Sequence, residues 1–184
     1  MADASRRAVF LDRDGTIVED PGFLHQPGKV RLLAGAGEAI HQLNQAGWLV
    51  ITVSNQSGIA RGLYDAAAYQ AVQRRLVELL AAHDARVDGA YFCPHHPAFT
   101  GPCECRKPGL LLFREAQAAL GLDLTRCRWV GDRLSDVEPA RKLGGRALLV
   151  ETGGGATHVG KARALRIPVV ADLAAAAAEI VRGA

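Results

Sequence analysis

The chain has 184 residues, 22 of them lysine or arginine and 19 aspartate or glutamate, for a net charge of +3 with neutral histidines. This length holds one domain with a sizeable core, and 49% apolar with 22% charged residues is an ordinary globular composition. So mild a charge does not argue for nucleic acid or an anionic membrane as partner, and no apolar run approaches the ~18 residues that span a bilayer. Arg6-Arg7 precedes only four apolar residues before Asp12, too few for a signal peptide, so the expected compartment is the cytoplasm. Strand-length apolar runs fall at residues 9–11, 48–53, 90–92, 129–130 and 147–150. Most lack polar alternation, as strands buried on both faces of a parallel sheet do. Helical patterns lie between them. The spacing predicts helices over 36–46 (stopped by Gly47), after an Asp65 cap through Tyr69, Val72, Leu76, Leu79 and Leu80, over 109–120 (stopped by Gly121), over 135–143 (stopped by Gly144-Gly145) and over 173–181. Residues 19–30 read as an irregular loop. Alternating strands and helices predict an α/β fold: a three-layer α/β/α doubly wound, mainly parallel sheet, one domain over 1–184, with no insertion long enough for a separate cap domain. Such sheets bind ligands beyond the carboxyl ends of their strands.

The chemistry-bearing residues lie at those ends. Asp12-Arg13-Asp14-Gly15-Thr16 closes the first apolar run. Side chains alternate along a strand, so Asp12 and Asp14 point the same way, and Gly15 lets the backbone turn. Such a pair can hold a divalent cation while one carboxylate attacks an electrophile. The second run ends in Ser54-Asn55-Gln56-Ser57-Gly58, where a hydroxyl and free N–H groups can hold a phosphoryl oxygen. Arg106-Lys107-Pro108 offers fixed cations before a helix. Gly131-Asp132-Arg133-Leu134-Ser135-Asp136 follows a strand with a third carboxylate, which can complete a magnesium site of oxygen ligands. Each piece alone is an ordinary turn or cap; their order on successive strands gives them weight.

Together these motifs resemble the haloacid dehalogenase (HAD) superfamily of phosphohydrolases, and within it the small capless branch of heptose-bisphosphate and histidinol-phosphate phosphatases. The resemblance covers about residues 8–152 and is densest at 10–17, 54–62, 93–97 and 103–108; the run from Asn55 to Gly62 tilts it toward the heptose enzymes. It implies a HAD-like fold and removal of the C7 phosphate of D-glycero-D-manno-heptose 1,7-bisphosphate in nucleotide-activated heptose biosynthesis, through an aspartyl-phosphate. It implies Asp12 as nucleophile and Asp14 as general acid and base, with Ser54, Asn55 and Lys107 steadying the transferring group. Magnesium is expected on the Asp12 side chain, the Asp14 carbonyl and Asp132. Substrate contacts are expected from Arg13, Asp20, Pro21, Gly22, Phe23, Gln56, Ser57, Arg106 and Arg133, with Arg106 on the distal phosphate. Arg133 stands where lysine is expected and Ser54 where threonine is also common. The implied partner is a small phosphorylated sugar, with the chain acting as a monomer.

Four cysteines in a reducing compartment suggest metal rather than disulfides. Cys93-Pro94-His95 and Cys103-Glu104-Cys105, with seven residues between them, supply three thiolates and an imidazole, a closed tetrahedral set for structural zinc. His96 is the rival fourth ligand; the resemblance favours His95. Cys127 reads as a small buried residue. Residues 155–162 nearly match a phosphate-binding P-loop, but Ala162 replaces the required hydroxyl and only 22 residues follow, so a loop is expected there. Gly35-Ala36-Gly37 lacks the third glycine of a dinucleotide fingerprint, Arg74-Arg75 and Arg141-Lys142 read as solvated helix faces, His25 as a solvent loop residue, and His41 and His83 as surface or packing residues. The competing functions are a histidinol-phosphate phosphatase, a polynucleotide 3'-phosphatase with the same Asp-x-Asp-Gly-Thr core, and a non-catalytic zinc-stapled binding module.

Overall fold

The computed structural model describes residues 6–183; the expected domain limits at 1 and 184 lie outside the described residues. Six strands, β1 (Ala8–Leu11), β2 (Leu49–Asn55), β3 (Gly89–Cys93), β4 (Arg128–Gly131), β5 (Arg146–Val150) and β6 (Val169–Val170), form one sheet in the order β3-β2-β1-β4-β5-β6. Every pairing is parallel. The helices are α1 (Ala36–Gln45), α2 (Ser57–Ala60), α3 (Ala66–Ala81), α4 (Pro97–Thr100), α5 (Leu111–Leu120), α6 (Leu134–Leu143), α7 (Val159–Ala164) and α8 (Leu173–Arg182).

All of β1 is buried, and its residues alternate between two cores. Val9 and Leu11 join α1, α3 and α8 through Ile40, Leu43, Leu76 and Ile180. Ala8 and Phe10 join the other face, where α5 and α6 contribute Phe113, Ala116 and Ala140. Strands covered on both faces need no polar alternation, which is why the apolar runs marked them. On the second face Phe10 packs edge-on against Phe113 at 5.1 Å and lies 4.9 Å from Trp129. The glycine stops act as expected: Gly121 (φ 65°) and Gly144 (φ 79°) adopt the left-handed conformation that ends α5 and α6. Asp65 caps α3 by accepting from the Ala68 N–H.

Three departures have local causes. Residues 155–162, expected as a loop, form a 3-10 turn (Gly155–Thr157) and the first part of α7, a helix that buries only Ala162 and so left little periodic signal. The two-residue β6 and the four-residue α2 and α4 are too short to show a period. His25 is half-buried, its ring stacked on Tyr64 at 5.4 Å, instead of standing in solvent.

The strand order reverses between β1 and β4, because the chain winds from β1 to β2 and β3 on one side and from β4 to β5 and β6 on the other. Crevices open at the carboxyl ends of strands at such a reversal. Asp12 leaves β1 and Asp132 leaves β4 at this point, and the Asp12 N–H donates to the Val130 carbonyl at 3.0 Å.

Phe113→Ala removes the ring that wedges α5 against Phe10 and Trp129. Urea unfolding is expected to show a loss of about 3–5 kcal/mol, read as a lower midpoint at unchanged slope.

Candidate active site

The floor of the crevice is built around one buried ammonium. Lys107 Nζ lies 2.7 Å from Asp12 Oδ1 and 2.9 Å from Asp136 Oδ1, with its side chain 2% exposed. It also donates to the Val53 carbonyl at the end of β2. Burial alone would lower the lysine's pKa, but Asp12 and Asp136 hold it above the ordinary value. Burial pushes Asp12 well above the carboxylate range; Lys107 opposes the rise, and Asp136, Asp132 and Asp14 add to it. The backbone of Lys107 is fixed by Asn55, whose side chain accepts from the Lys107 N–H at 2.9 Å and donates to its carbonyl at 3.1 Å.

Asp132 is fully buried between two turns. A side chain at Gly15 (φ 88°) would meet Asp132 Oδ2 at 2.6 Å, and one at Gly153 would also run into that oxygen, so only glycine lets both backbones approach. The Gly154 N–H donates to Asp132 Oδ2 at 2.7 Å, whereas Oδ1 is buried without a partner. Burial raises the Asp132 carboxyl to about 6, with the Gly154 bond opposing. Carboxylate oxygens of Asp12, Asp132 and Asp136 all lie within 4.8 Å of one another. Three carboxylates facing one ammonium leave an excess of two negative charges when ionised. A divalent cation with oxygen ligands fits both that excess and the orphaned oxygen.

Asp14 is set apart from this cluster. Its oxygens accept from Arg13 Nε and Nη2, each at 2.9 Å, and from Gln56 Nε2 at 2.9 Å. Its carboxylate therefore adds nothing to the cation set, and only its main chain is on offer. Arg13, expected to contact substrate, does not line the cavity: its side chain is fully buried, holds Asp14 and lies over the Tyr69 ring. The alternation that points Asp12 and Asp14 together turns Arg13 the other way. Gln56 also donates to Ser54 Oγ at 3.0 Å and accepts from Tyr64 Oη at 2.6 Å. Ser54 is 1% exposed, beneath this amide.

Above the floor lies a 440 Å³ cavity lined by Asp12, Asp14, Asp20, Gly22, Phe23, Asn55, Gln56, Ser57, Arg106, Lys107 and Arg133, and by the unanticipated Arg61, Tyr64, His96, Ser135 and Asp136. Pro21, expected there, is exposed outside the lining. Arg133 reaches Asp20 at 3.5 Å, and Arg106 donates to the His95 carbonyl at 3.2 Å. Asp136 was identifiable in principle, as the first-turn acid of α6 whose Oδ2 accepts the Arg133 N–H at 2.9 Å. Its contact with Lys107 needs the tertiary fold. A larger cleft of 930 Å³ between α6 and α8 brings together none of the expected site residues.

Beside the cavity, Cys93, His95, Cys103 and Cys105 offer ligand atoms within 4.8 Å of one another. Cys93 Sγ lies 3.0 Å from Cys105 Sγ and 3.7 Å from Cys103 Sγ, and His95 Nδ1 lies 3.2 Å from Cys105 Sγ. This closed set of soft donors suits tetrahedral zinc. His96 is used otherwise: its Nδ1 accepts from the Ala98 N–H at 3.2 Å and caps α4. Burial raises the Cys93 and Cys105 thiols, so zinc binding would release protons there. Cys127 lies elsewhere, buried, with the Ala8 N–H on its sulfur at 3.3 Å.

Comparison with known proteins agrees with this geometry. The family model described as HAD-hydrolase-like matches residues 104–176. D-glycero-beta-D-manno-heptose-1,7-bisphosphate 7-phosphatase of Yersinia pestis is 38% identical over 165 residues, 85% of this chain and 87% of that one. The protein of that name from Pseudomonas aeruginosa is 37% identical over 179 residues, 97% and 99% of the two chains. The crystal structure of D,D-heptose 1,7-bisphosphate phosphatase from B. bronchiseptica, complexed with magnesium and phosphate, superimposes with a TM-score of 0.88 at 35% identity, over 97% of this chain and 99% of that one. The chain belongs to the heptose-1,7-bisphosphate 7-phosphatase family of HAD-like hydrolases.

Proposed function

We propose that this chain is a magnesium-dependent phosphatase that hydrolyses the C7 phosphate of D-glycero-D-manno-heptose 1,7-bisphosphate, leaving heptose 1-phosphate. The observation that carries the reading is the Asp12 carboxylate on the floor of a cavity, 2.7 Å from a buried ammonium and at the strand-order reversal. The relatives' names supply the substrate. The chain is read as a single-domain monomer, and the thiol-rich zinc set suits the cytoplasm.

Asp12 attacks phosphorus, the bond to the sugar oxygen breaks, and an aspartyl-phosphate forms. Asp14 gives its proton to the leaving oxygen, then takes one from the water that hydrolyses the intermediate. Arg13 and Gln56 aim the Asp14 carboxyl, and Tyr64 fixes which end of the Gln56 amide faces it. Lys107 keeps Asp12 ionised and offsets charge on the phosphoryl group. Ser54 and Asn55 act mainly by holding Gln56 and Lys107 in place. Asp12, Asp132, the Asp14 carbonyl and Asp136 nearby would hold magnesium, which when bound supplies positive charge against the repulsion between anionic nucleophile and anionic phosphate. Arg106 and Arg133 face the distal part of the substrate, and Asp20, Gly22 and Phe23 wall the cavity.

Asp12→Asn is expected to lower turnover at least ~10³-fold, with an unchanged circular dichroism spectrum. Substantial phosphate release by this variant would refute the nucleophile assignment, and a wild type that prefers histidinol phosphate would refute the substrate. Removal of zinc, verified by metal analysis, is expected to lower kcat/KM on the order of 10- to 100-fold, because the cluster fixes the segment that carries Arg106 and Lys107. Full activity in a zinc-free sample would show that the cluster does not position them.

A further inference from the structure

One cation at the mouth of the cavity is held in an unusual way. Arg61 follows α2, and its guanidinium carbon lies 5.6 Å from the centroid of the Phe23 ring and 4.9 Å from that of Phe99. The rings come from different segments: Phe23 from the loop after β1, Phe99 from α4, just beyond the zinc-cluster residue His95. Both are conspicuously exposed, at 44% and 54%, so neither is placed by core packing. Phe23 also adopts a left-handed backbone conformation (φ 49°), unfavourable for a residue with a side chain. The clamp thus carries both a backbone cost and exposed aromatic surface.

Both rings lie within cation–π distance of the guanidinium, an attraction that does not use its N–H donors. Among the described residues no carboxylate lies within ion-pair distance of Arg61, and no acceptor takes its side-chain N–H groups. Its neighbours on the rim differ: Arg106 donates to a backbone carbonyl and Arg133 reaches Asp20. Arg61 is therefore oriented without spending its donors. A planar fork held this way suits a phosphate, which it can bind through two parallel hydrogen bonds. The floor is acidic around Asp12 and Asp136, so a second phosphate on the substrate is favoured at the cationic rim.

We propose that Arg61 is a specificity-determining residue that takes the phosphate not being transferred, so that the enzyme selects bisphosphorylated sugars over monophosphates. The inference rests on the phosphatase reading above. Phe23 and Phe99 are positioning residues for it, and through Phe99 the zinc-bearing segment forms one jaw of the clamp.

The test compares kcat/KM for D-glycero-D-manno-heptose 1,7-bisphosphate with that for the 7-monophosphate, in wild type, Arg61→Ala, Arg61→Lys and Phe99→Ala. Arg61→Ala is expected to lower the bisphosphate-to-monophosphate ratio about 10- to 100-fold, chiefly through KM. Lysine, a point charge without the fork, should restore only part of it, and Phe99→Ala should fall between wild type and Arg61→Ala. Folding of each variant is checked by circular dichroism. An unchanged ratio in Arg61→Ala, or equal losses on both substrates, overturns the role of Arg61 alone. A wild type inactive on both sugars overturns the phosphatase reading and this inference with it.

Discussion

The site depends on one buried ammonium between two carboxylates. Asp12 comes from the turn after β1, and Asp132 and Asp136 from the turn after β4 and the start of α6; like charges this close repel one another in a poorly solvated crevice. Lys107 makes their convergence tolerable by standing within hydrogen-bond distance of two of them. The remaining charge excess prepares the crevice for a divalent cation and then for an anionic phosphate. The lysine cannot be placed loosely, because a buried charge that misses its partner is destabilising. Its surroundings fix it from three directions: Asn55 holds its backbone, Val53 offers a carbonyl, and the cysteine–histidine cluster anchors the chain two residues upstream.

The sheet supplies the setting. Reversal of strand order between β1 and β4 opens a crevice where two carboxylate-bearing turns meet, and the strands beneath are buried on both faces. Gly15 and Gly153 let the turns after β1 and β5 close on Asp132. The rim is built from short irregular segments instead: the loop after β1, the turn after α2 and the zinc-bearing stretch. Rigid chemistry below and loop-borne recognition above is a division that permits substrate choice to vary on a fixed floor.

What could be read from the sequence follows from how local each signal is. Asp12 and Asp14 were legible because a period of two and a following glycine speak for themselves, and the helix stops at Gly121 and Gly144 for the same reason. The zinc ligands were legible as two close pairs. Arg13 is expected from the motif as a substrate contact, but the same alternation sends its side chain behind the floor, where it holds Asp14. Asp136 was seen as part of a motif but not as a partner of Lys107, a contact across 29 residues that only folding creates. The Phe23–Arg61–Phe99 clamp joins three distant segments and has no local signature at all. α7 and β6 bury too little to impose a pattern on their residues.

The most direct test of Lys107 as the organising charge is the unfolding free energy of Lys107→Met against wild type, in magnesium-free buffer with zinc retained. Methionine keeps the length and apolar stem but leaves Asp12 and Asp136 buried without their cation. The account predicts a loss of about 3–5 kcal/mol at neutral pH. A variant as stable as wild type would contradict it, because the carboxylates would then be held together by something other than the ammonium.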